Sequence, residues 1–345
     1  MNRKIESFLN SRFGWDRIFS HPIPEHANHI TYTFGGMLLV LGVVQGLTGI
    51  ILQQFYHPHP ASPGAYDSLL YMISVPWISF VRNLHYWGAQ LLVMITLLHM
   101  VRVFISGSYK KPREMQWLAG IGLLVLLFGF TFTGTIMKWD QEAVEALGHQ
   151  QTLAQTISTL GTIFTSKISP DVPVLTRIAA THVTVIPMLA LPVLMLHLVL
   201  IRLLGMSGPK FVKNNKIVDA VEKYVPFSTH VKKMMVYGAG AVVIAVILSL
   251  LIPAGLQMRG VEGIEDTKPP WYLLWIFPLE DLFGLNVIPY VSGIIIIILA
   301  AVPLVDRKKI TEPRQRKGMI IGMLVLVGIF VGLMIAGATS PMESH

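Results

Sequence analysis

Apolar residues gather into seven runs of about 20 residues, the length a helix needs to cross roughly 30 Å of hydrocarbon. The runs are Thr31 to Leu52, Phe80 to Phe104, Trp117 to Ile136, Ala179 to Leu204, Met235 to Pro253, Val287 to Val305 and Lys317 to Ala336. The pattern predicts an all-α integral membrane protein with seven transmembrane helices. Two connections, Lys138 to Ile178 and Ala254 to Asn286, are longer than a simple return needs and are expected to build a surface or a pocket. The connection Gly208 to Lys233 divides a four-span half, residues 1–207, from a three-span half, residues 208–345.

Composition agrees with a membrane solvent: 53% of the 345 residues are hydrophobic and only 13% are charged, about half the charged fraction of a soluble domain. The net charge of +8 would suit a nucleic-acid partner, but the cations are sorted by topology. Of the 27 Lys and Arg, 21 lie in the N-terminal segment and in the second–third, fourth–fifth and sixth–seventh connections. The positive-inside rule then places the N-terminus in the cytoplasm and the C-terminus outside, in a bacterial or archaeal cytoplasmic membrane, and no nucleic acid is expected. The charged, Pro-containing stretch before Thr31 does not read as a cleavable signal peptide. With no Cys, this chain holds no disulfide, no all-Cys iron–sulfur cluster and no thioether-linked haem.

Ionisable residues inside spans are costly and point to function. The second span carries His85 and His99, and the fourth carries His182 and His197. The 14-residue step in the second span returns to nearly the same helix face about 21 Å further along. The fourth span has a 15-residue step, with Pro187 and Pro192 between the two His to absorb the extra residue. The two spans run parallel, so His85 faces His182 near the outer surface and His99 faces His197 near the inner. Two facing pairs of neutral imidazoles are what two bis-His haem b irons need. Zinc fits poorly, because no Cys or carboxylate completes a tetrahedral set. Gly35 and Gly49 in the first span, and Gly120 and Gly134 in the third, repeat the 14-residue step, and a macrocycle edge can approach a backbone closely where no Cβ stands. Arg82 and Arg102 lie three residues outside each His of the second span and are candidate partners of haem propionates.

The segments Val81-Arg82-Asn83-Leu84-His85, Leu98-His99-Met100-Val101-Arg102-Val103 and Tyr109-Lys110-Lys111-Pro112-Arg113-Glu114, with Trp139-Asp140-Gln141, resemble the Rieske/cytochrome b family, in particular its cytochrome b6 branch. The last three spans resemble the family's subunit IV, here fused to the first half. The resemblance implies quinol oxidation at an outer pocket. One electron would pass to a Rieske-type iron–sulfur protein and on to a cytochrome c or other outer carrier, and the other would cross through the two haems to quinone at an inner pocket. It also implies a homodimeric complex embedded in lipid. The family's outer pocket falls here on Gly134 to Gln141 and on Pro269-Pro270-Trp271-Tyr272, so Trp139, Asp140, Glu142, Pro270, Trp271 and Tyr272 are the expected catalytic set.

Three positions depart from that family. Thr33 stands where the b6 branch has the Cys that tethers an extra haem, so no covalent haem is expected. Pro270 replaces the Glu of the outer motif and cannot accept a proton. Met137-Lys138 replaces Leu-Pro. Glu142 or Asp140 is therefore expected to serve as substitute acceptor, with Glu262, Glu265 and Asp266 behind them. His21, His26 and His29 could hydrogen-bond an inner quinone, whereas His57, His59 and His149 read as solvated. Trp77, Trp117, Trp271 and Trp275 read as interfacial belt residues. A second reading is a dihaem conduit that does not split electron pairs; a membrane protein without redox centres leaves the paired His unexplained.

Overall fold

The computed structural model describes residues 8, 11–12, 21–156, 165, 169–208, 210–213, 216–219, 223–263 and 267–341. Arg3, Lys4, Arg17, Lys167, Glu265 and Asp266 lie outside the described residues. Seven helices are long and apolar enough to span a membrane. They are α1 (Phe34–Gln53), α3 (Pro76–Ile105), α4 (Glu114–Ile136), α6 (Val174–Leu204), α7 (Phe227–Leu251), α9 (Val287–Val305) and α10 (Lys317–Thr339). The architecture is the one the apolar runs predict, with ends displaced by a few residues. Pro76 at the first helical position starts α3 earlier than the hydropathy does, because its fixed φ and missing N–H suit that position.

Among the described residues three further helices, α2 (Ala65–Ser74), α5 (Gln141–Thr156) and α8 (Phe277–Phe283), lie in the connections that the charge pattern assigns to the outer side, the sense in which outer and inner are used here. The inner side carries two antiparallel ribbons. β1 (Pro22–Pro24) pairs with β4 (Tyr224–Pro226), and β2 (Lys210–Lys213) pairs with β3 (Lys216–Asp219). These short strands have no hydrophobic alternation and are invisible in the sequence pattern.

Lipid is as apolar as Leu, so the helices associate through close packing at small residues. Helix α7 lies against α1 and α3, with buried Ala241 and Ala245 packed on Leu41, Leu91 and Ile95. Gly238 sits so close to α1 that an added Cβ would come within 2.6 Å of Val40 Cγ2. The end of α7 leaves carbonyls unpaired, and polar residues of α3 satisfy them. Asn83 Nδ2 donates to Ser249 O at 3.3 Å, and Trp87 Nε1 donates to Ile252 O at 2.7 Å.

The two halves meet at both membrane faces. Outside, an isolated antiparallel bridge joins Asp140 to Arg259, with Gln141 N donating to Met258 O at 3.0 Å. Inside, a buried ionic cluster joins the α3–α4 connection to the α9–α10 connection. Asp306 accepts from Lys110 Nζ at 2.6 Å, from Tyr109 OH at 2.6 Å and from Arg316 Nη2 at 2.8 Å.

Candidate functional site

The four His occupy α3 and α6 as expected. His85 and His182 interact electrostatically with each other, and so do His99 and His197. The 15-residue step in α6 is absorbed by a π-helical turn over Thr181–Val185 that contains His182. Pro187 has no N–H for the Val183 carbonyl, and the Ile186 N–H reaches back five residues to Thr181 O. Pro187 thus absorbs the extra residue through a widened turn that carries His182.

Hydrogen bonds fix the tautomer of three of the rings. The Thr48 hydroxyl gives its only proton to Val44 O at 2.7 Å, so its contact with His85 Nδ1 at 2.9 Å must be accepted from an Nδ1–H. Thr133 repeats the arrangement, donating to Gly129 O and accepting from His182 Nδ1 at 2.9 Å. His197 Nδ1 lies 3.0 Å from Gln116 O, an acceptor only. Each of these rings is therefore left with an unprotonated Nε2, the form that ligates a metal. His99 Nδ1 is buried without a hydrogen-bond partner among the described residues.

The glycines lie where the 14-residue step puts them, one against each ring. A Cβ on Gly49 would stand 3.4 Å from His85 Cε1, and one on Gly134 would stand 3.2 Å from His182 Cε1. The inner distances are 3.8 Å for Gly35 against His99 and 3.6 Å for Gly120 against His197. Paired imidazoles with free Nε2 atoms beside Cβ-free backbone fit two bis-His haems. No group of three or more His, Cys, Asp or Glu able to hold a metal occurs among the described residues.

Other expected residues take different roles. The Arg82 guanidinium donates to Ala254 O at 2.8 Å and Gly255 O at 3.0 Å, so it clasps the loop after α7 instead of standing free for a propionate. Arg102 lies 3.4 Å above the Tyr32 ring, and its buried Nε has no hydrogen-bond partner among the described residues. Asp140 is held on every side. It is fully buried, its Oδ1 caps α5 at Ala143 N, and its Oδ2 accepts from Gln257 N and pairs with Lys138 Nζ at 3.1 Å. Glu262 is exposed in its loop. Thr33 is buried, its hydroxyl donating to Ile30 O at 2.7 Å.

At the outer end the Pro270 carbonyl accepts from Leu273 N at 2.7 Å and opens the turn that carries Trp271 and Tyr272. Trp271 Nε1 donates to Gln90 Oε1 of α3 at 2.7 Å. Tyr272 is buried against Phe128. Burial pushes the Tyr272 hydroxyl up to about 12, so it stays protonated. Trp139 packs on the cluster of Ile136, Leu147 and Ile178 with a φ of 55°, a left-handed backbone that a large side chain rarely adopts. Lys138 forms ion pairs with both Asp140 and Glu142.

At the inner end the N-terminal segment and α7 border an open cleft of about 770 Å³, lined by Glu25, His26, Asn28, His29, Lys233 and Tyr237 among others. His26 and His29 are thus brought together there, and His26 Nε2 lies 3.1 Å from Ser207 O. The sequence reading passed over Thr48 and Thr133; the Thr-Gly pair repeated in α1 and α4 was the available signal.

Comparison with known proteins gives the same picture. Residues 90–258 match the family described as Cytochrome b(N-terminal)/b6/petB. The cytochrome bc complex cytochrome b subunit of Chlorobaculum thiosulfatiphilum is 31% identical over 323 residues, 90% of this chain and 74% of that protein. The menaquinol:cytochrome c reductase cytochrome b subunit of Bacillus subtilis is 33% identical over 61% of this chain and all of its own length. A chain of a hyperthermophilic respiratory Complex III shares the fold, with a TM-score of 0.83 and 20% identity, covering 97% of this chain and 92% of that one. The Chlorobaculum match extends through both halves of the seven-helix bundle, and the chain belongs to the cytochrome b/b6 family.

Proposed function

We propose that this chain is the dihaem cytochrome b subunit of a membrane quinol oxidoreductase of the bc/b6f type. It would oxidise quinol at its outer end, carry one electron across the membrane to quinone at its inner end, and couple the two sites to proton translocation. The observation that carries the reading is the pair of His pairs, one near each membrane face, with Nδ1 held by Thr48, Thr133 and Gln116 in three of the four rings. When bound, each haem supplies a one-electron carrier. The chain's residues do the rest: the Thr hydroxyls set the tautomer, and the glycines leave room for a flat macrocycle edge to come close to the backbone. Arg102, with a buried donor unpaired among the described residues, is the cation placed to meet an anionic group at the inner haem.

Outside, Trp139, Trp271 and Tyr272 line the quinol end. Inside, the cleft bordered by His26, His29 and Lys233 offers donors for a quinone carbonyl. The name of the Bacillus subtilis relative supports a cytochrome c as partner; the Rieske-type iron–sulfur protein and the homodimeric complex follow from the family resemblance of the sequence, and the charge pattern supports a cytoplasmic membrane with this chain's N-terminus inside. Residues 1–207 would form the haem-binding half and 208–345 the subunit IV-like half.

The test is oxidant-induced haem reduction in the purified complex, with quinol present and the inner site inhibited. The proposal expects the b haems to become more reduced when oxidant is added, because withdrawing one electron from quinol outside sends the other into the haems. Simple oxidation would overturn electron splitting. It would favour the conduit reading, which the absence of a carboxylate at Pro270 supports.

A further inference from the structure

Quinol oxidation releases protons as well as electrons, so a base must stand at the outer pocket. The carboxylates of the outer end differ in what holds them. Asp140 is fully buried with both oxygens engaged. Glu145 accepts from Gln141 Nε2 at 2.9 Å and from the amide and hydroxyl of Thr267. Asp67 is tied to the Gly64 amide and, at 2.7 Å, to Arg259.

Glu142 is different. Its Oε2 pairs with Lys138 Nζ, and its other oxygen makes no hydrogen bond among the described residues. The side chain is 18% exposed, so it is sheltered from water yet not cut off from it. It is close enough to the hydroxyls of Tyr86, one residue beyond His85, and of Tyr272 to act on both electrostatically. Helix α5 begins at Gln141, capped by Asp140, so Glu142 sits in its first turn, where the helix dipole favours the anion. Around it stand Lys138 and Asp140 from the preceding loop, Tyr86 from α3 and Tyr272 from the turn after Pro270, with the Arg82 charge felt by Asp140.

We propose that Glu142, positioned by Lys138, is the residue that takes a proton from quinol at the outer pocket, an inference that rests on the quinol-oxidising reading above. In the step a quinol O–H bond breaks, an O–H bond forms on the free Glu142 oxygen, and the carboxylate becomes neutral. No electron passes through it: of the two electrons and two protons that the quinol gives up, one proton goes to Glu142, the other is lost together with the electron that leaves to the iron–sulfur partner, and the second electron goes to the chain's own electron carrier. Neutralisation loosens the contact with Lys138, which keeps Asp140 as its counter-ion, and the proton passes to outer water from the partly exposed side chain. Lys138 is a positioning residue in this scheme.

The test is the rate of menadiol oxidation by the purified complex as a function of pH, for the wild type and for Glu142→Gln, Glu142→Asp and Lys138→Met, with the haem spectrum as a check on assembly. Glu142→Gln is expected to lose about 100-fold or more in kcat, while Glu142→Asp keeps measurable turnover. Lys138→Met is expected to move the acidic limb of the profile to higher pH, since the carboxylate loses its cation. A Glu142→Gln complex with intact haem spectrum, wild-type rate and wild-type pH profile would overturn the proposal while leaving the function standing. A wild-type complex that oxidises no menadiol would overturn the functional reading and this inference with it. If Glu142→Gln does not assemble, an unshifted profile in Lys138→Met overturns the inference.

Discussion

The two ends of the bundle hold the same kind of histidine pair in different ways. At the outer end both rings donate to threonine hydroxyls, and the facing glycines leave 3.4 and 3.2 Å to a hypothetical Cβ. At the inner end one ring donates to a carbonyl, the other has no partner for Nδ1 among the described residues, and the glycines stand off at 3.8 and 3.6 Å. The surrounding clasps differ too. The outer end is stitched by hydrogen bonds to backbone from Arg82, Asn83 and Trp87, and the inner end by the buried charges of Lys110, Asp306 and Arg316. The outer pair is thus set tightly by local geometry, while the inner pair depends more on a long-range ionic clamp.

The largest contrast is expected from adding bulk. Gly134→Val should abolish the outer haem, because even its Cβ would press on the His182 ring and a branched side chain has no room to retreat. Gly35→Val, starting from 3.8 Å, should leave a substantial fraction of the inner haem in place. Haem content per chain and the α-band of each variant check this; equal losses at both ends would erase the distinction.

Breaking the clamp comes next. Asp306→Asn leaves the Lys110 and Arg316 charges buried without their counter-ion, which costs about 3–5 kcal/mol. Thermal denaturation of the complex should fall accordingly, with the inner haem lost before the outer. Acid should act in the same direction. Burial works to raise the Asp306 carboxyl, but Lys110, Tyr109 and Arg316 overcome it and hold the group below its usual range. Its stabilisation is therefore complete above the ordinary carboxylate pKa of about 4 and disappears as pH falls through the lowered value. The wild type should lose stability on acidification over that window, and Asp306→Asn should lose less.

The smallest effect belongs to the threonines. Thr133→Val removes the acceptor of the His182 Nδ1–H, a change of about 1 kcal/mol, or roughly 40 mV for a one-electron carrier. The ring then gives less electron density to the metal, so the outer haem potential should rise and the inner stay put. Redox titration of both haems checks it, and an unchanged outer potential would show that Thr133 only packs.

Most of the framework could be read from the sequence because membrane spans and ionisable residues within them are both expensive patterns to produce by chance. The seven helices, the pairing of His85 with His182 and His99 with His197, and the glycine facing each ring all follow from helical periodicity. What escaped has a physical reason. The π-turn at Thr181–Val185 is a local response to Pro187 that periodicity cannot locate. Threonines in apolar spans bond to their own helix as a rule, so only the fold reveals that Thr48 and Thr133 also meet a ring. The roles of Arg82 and Asp140 are set by backbone groups more than a hundred residues away, at Ala254, Gly255 and Gln257. Lys138, which the sequence showed only as a departure from the family's Leu-Pro, bridges Asp140 and Glu142.

The most direct test of the central claim is the haem b content of the purified complex after single substitutions of the histidines. The account predicts two haems per wild-type chain and the loss of one in His85→Ala and in His99→Ala, with the surviving haem different in the two variants. A His99→Ala chain that still binds two b haems would contradict it.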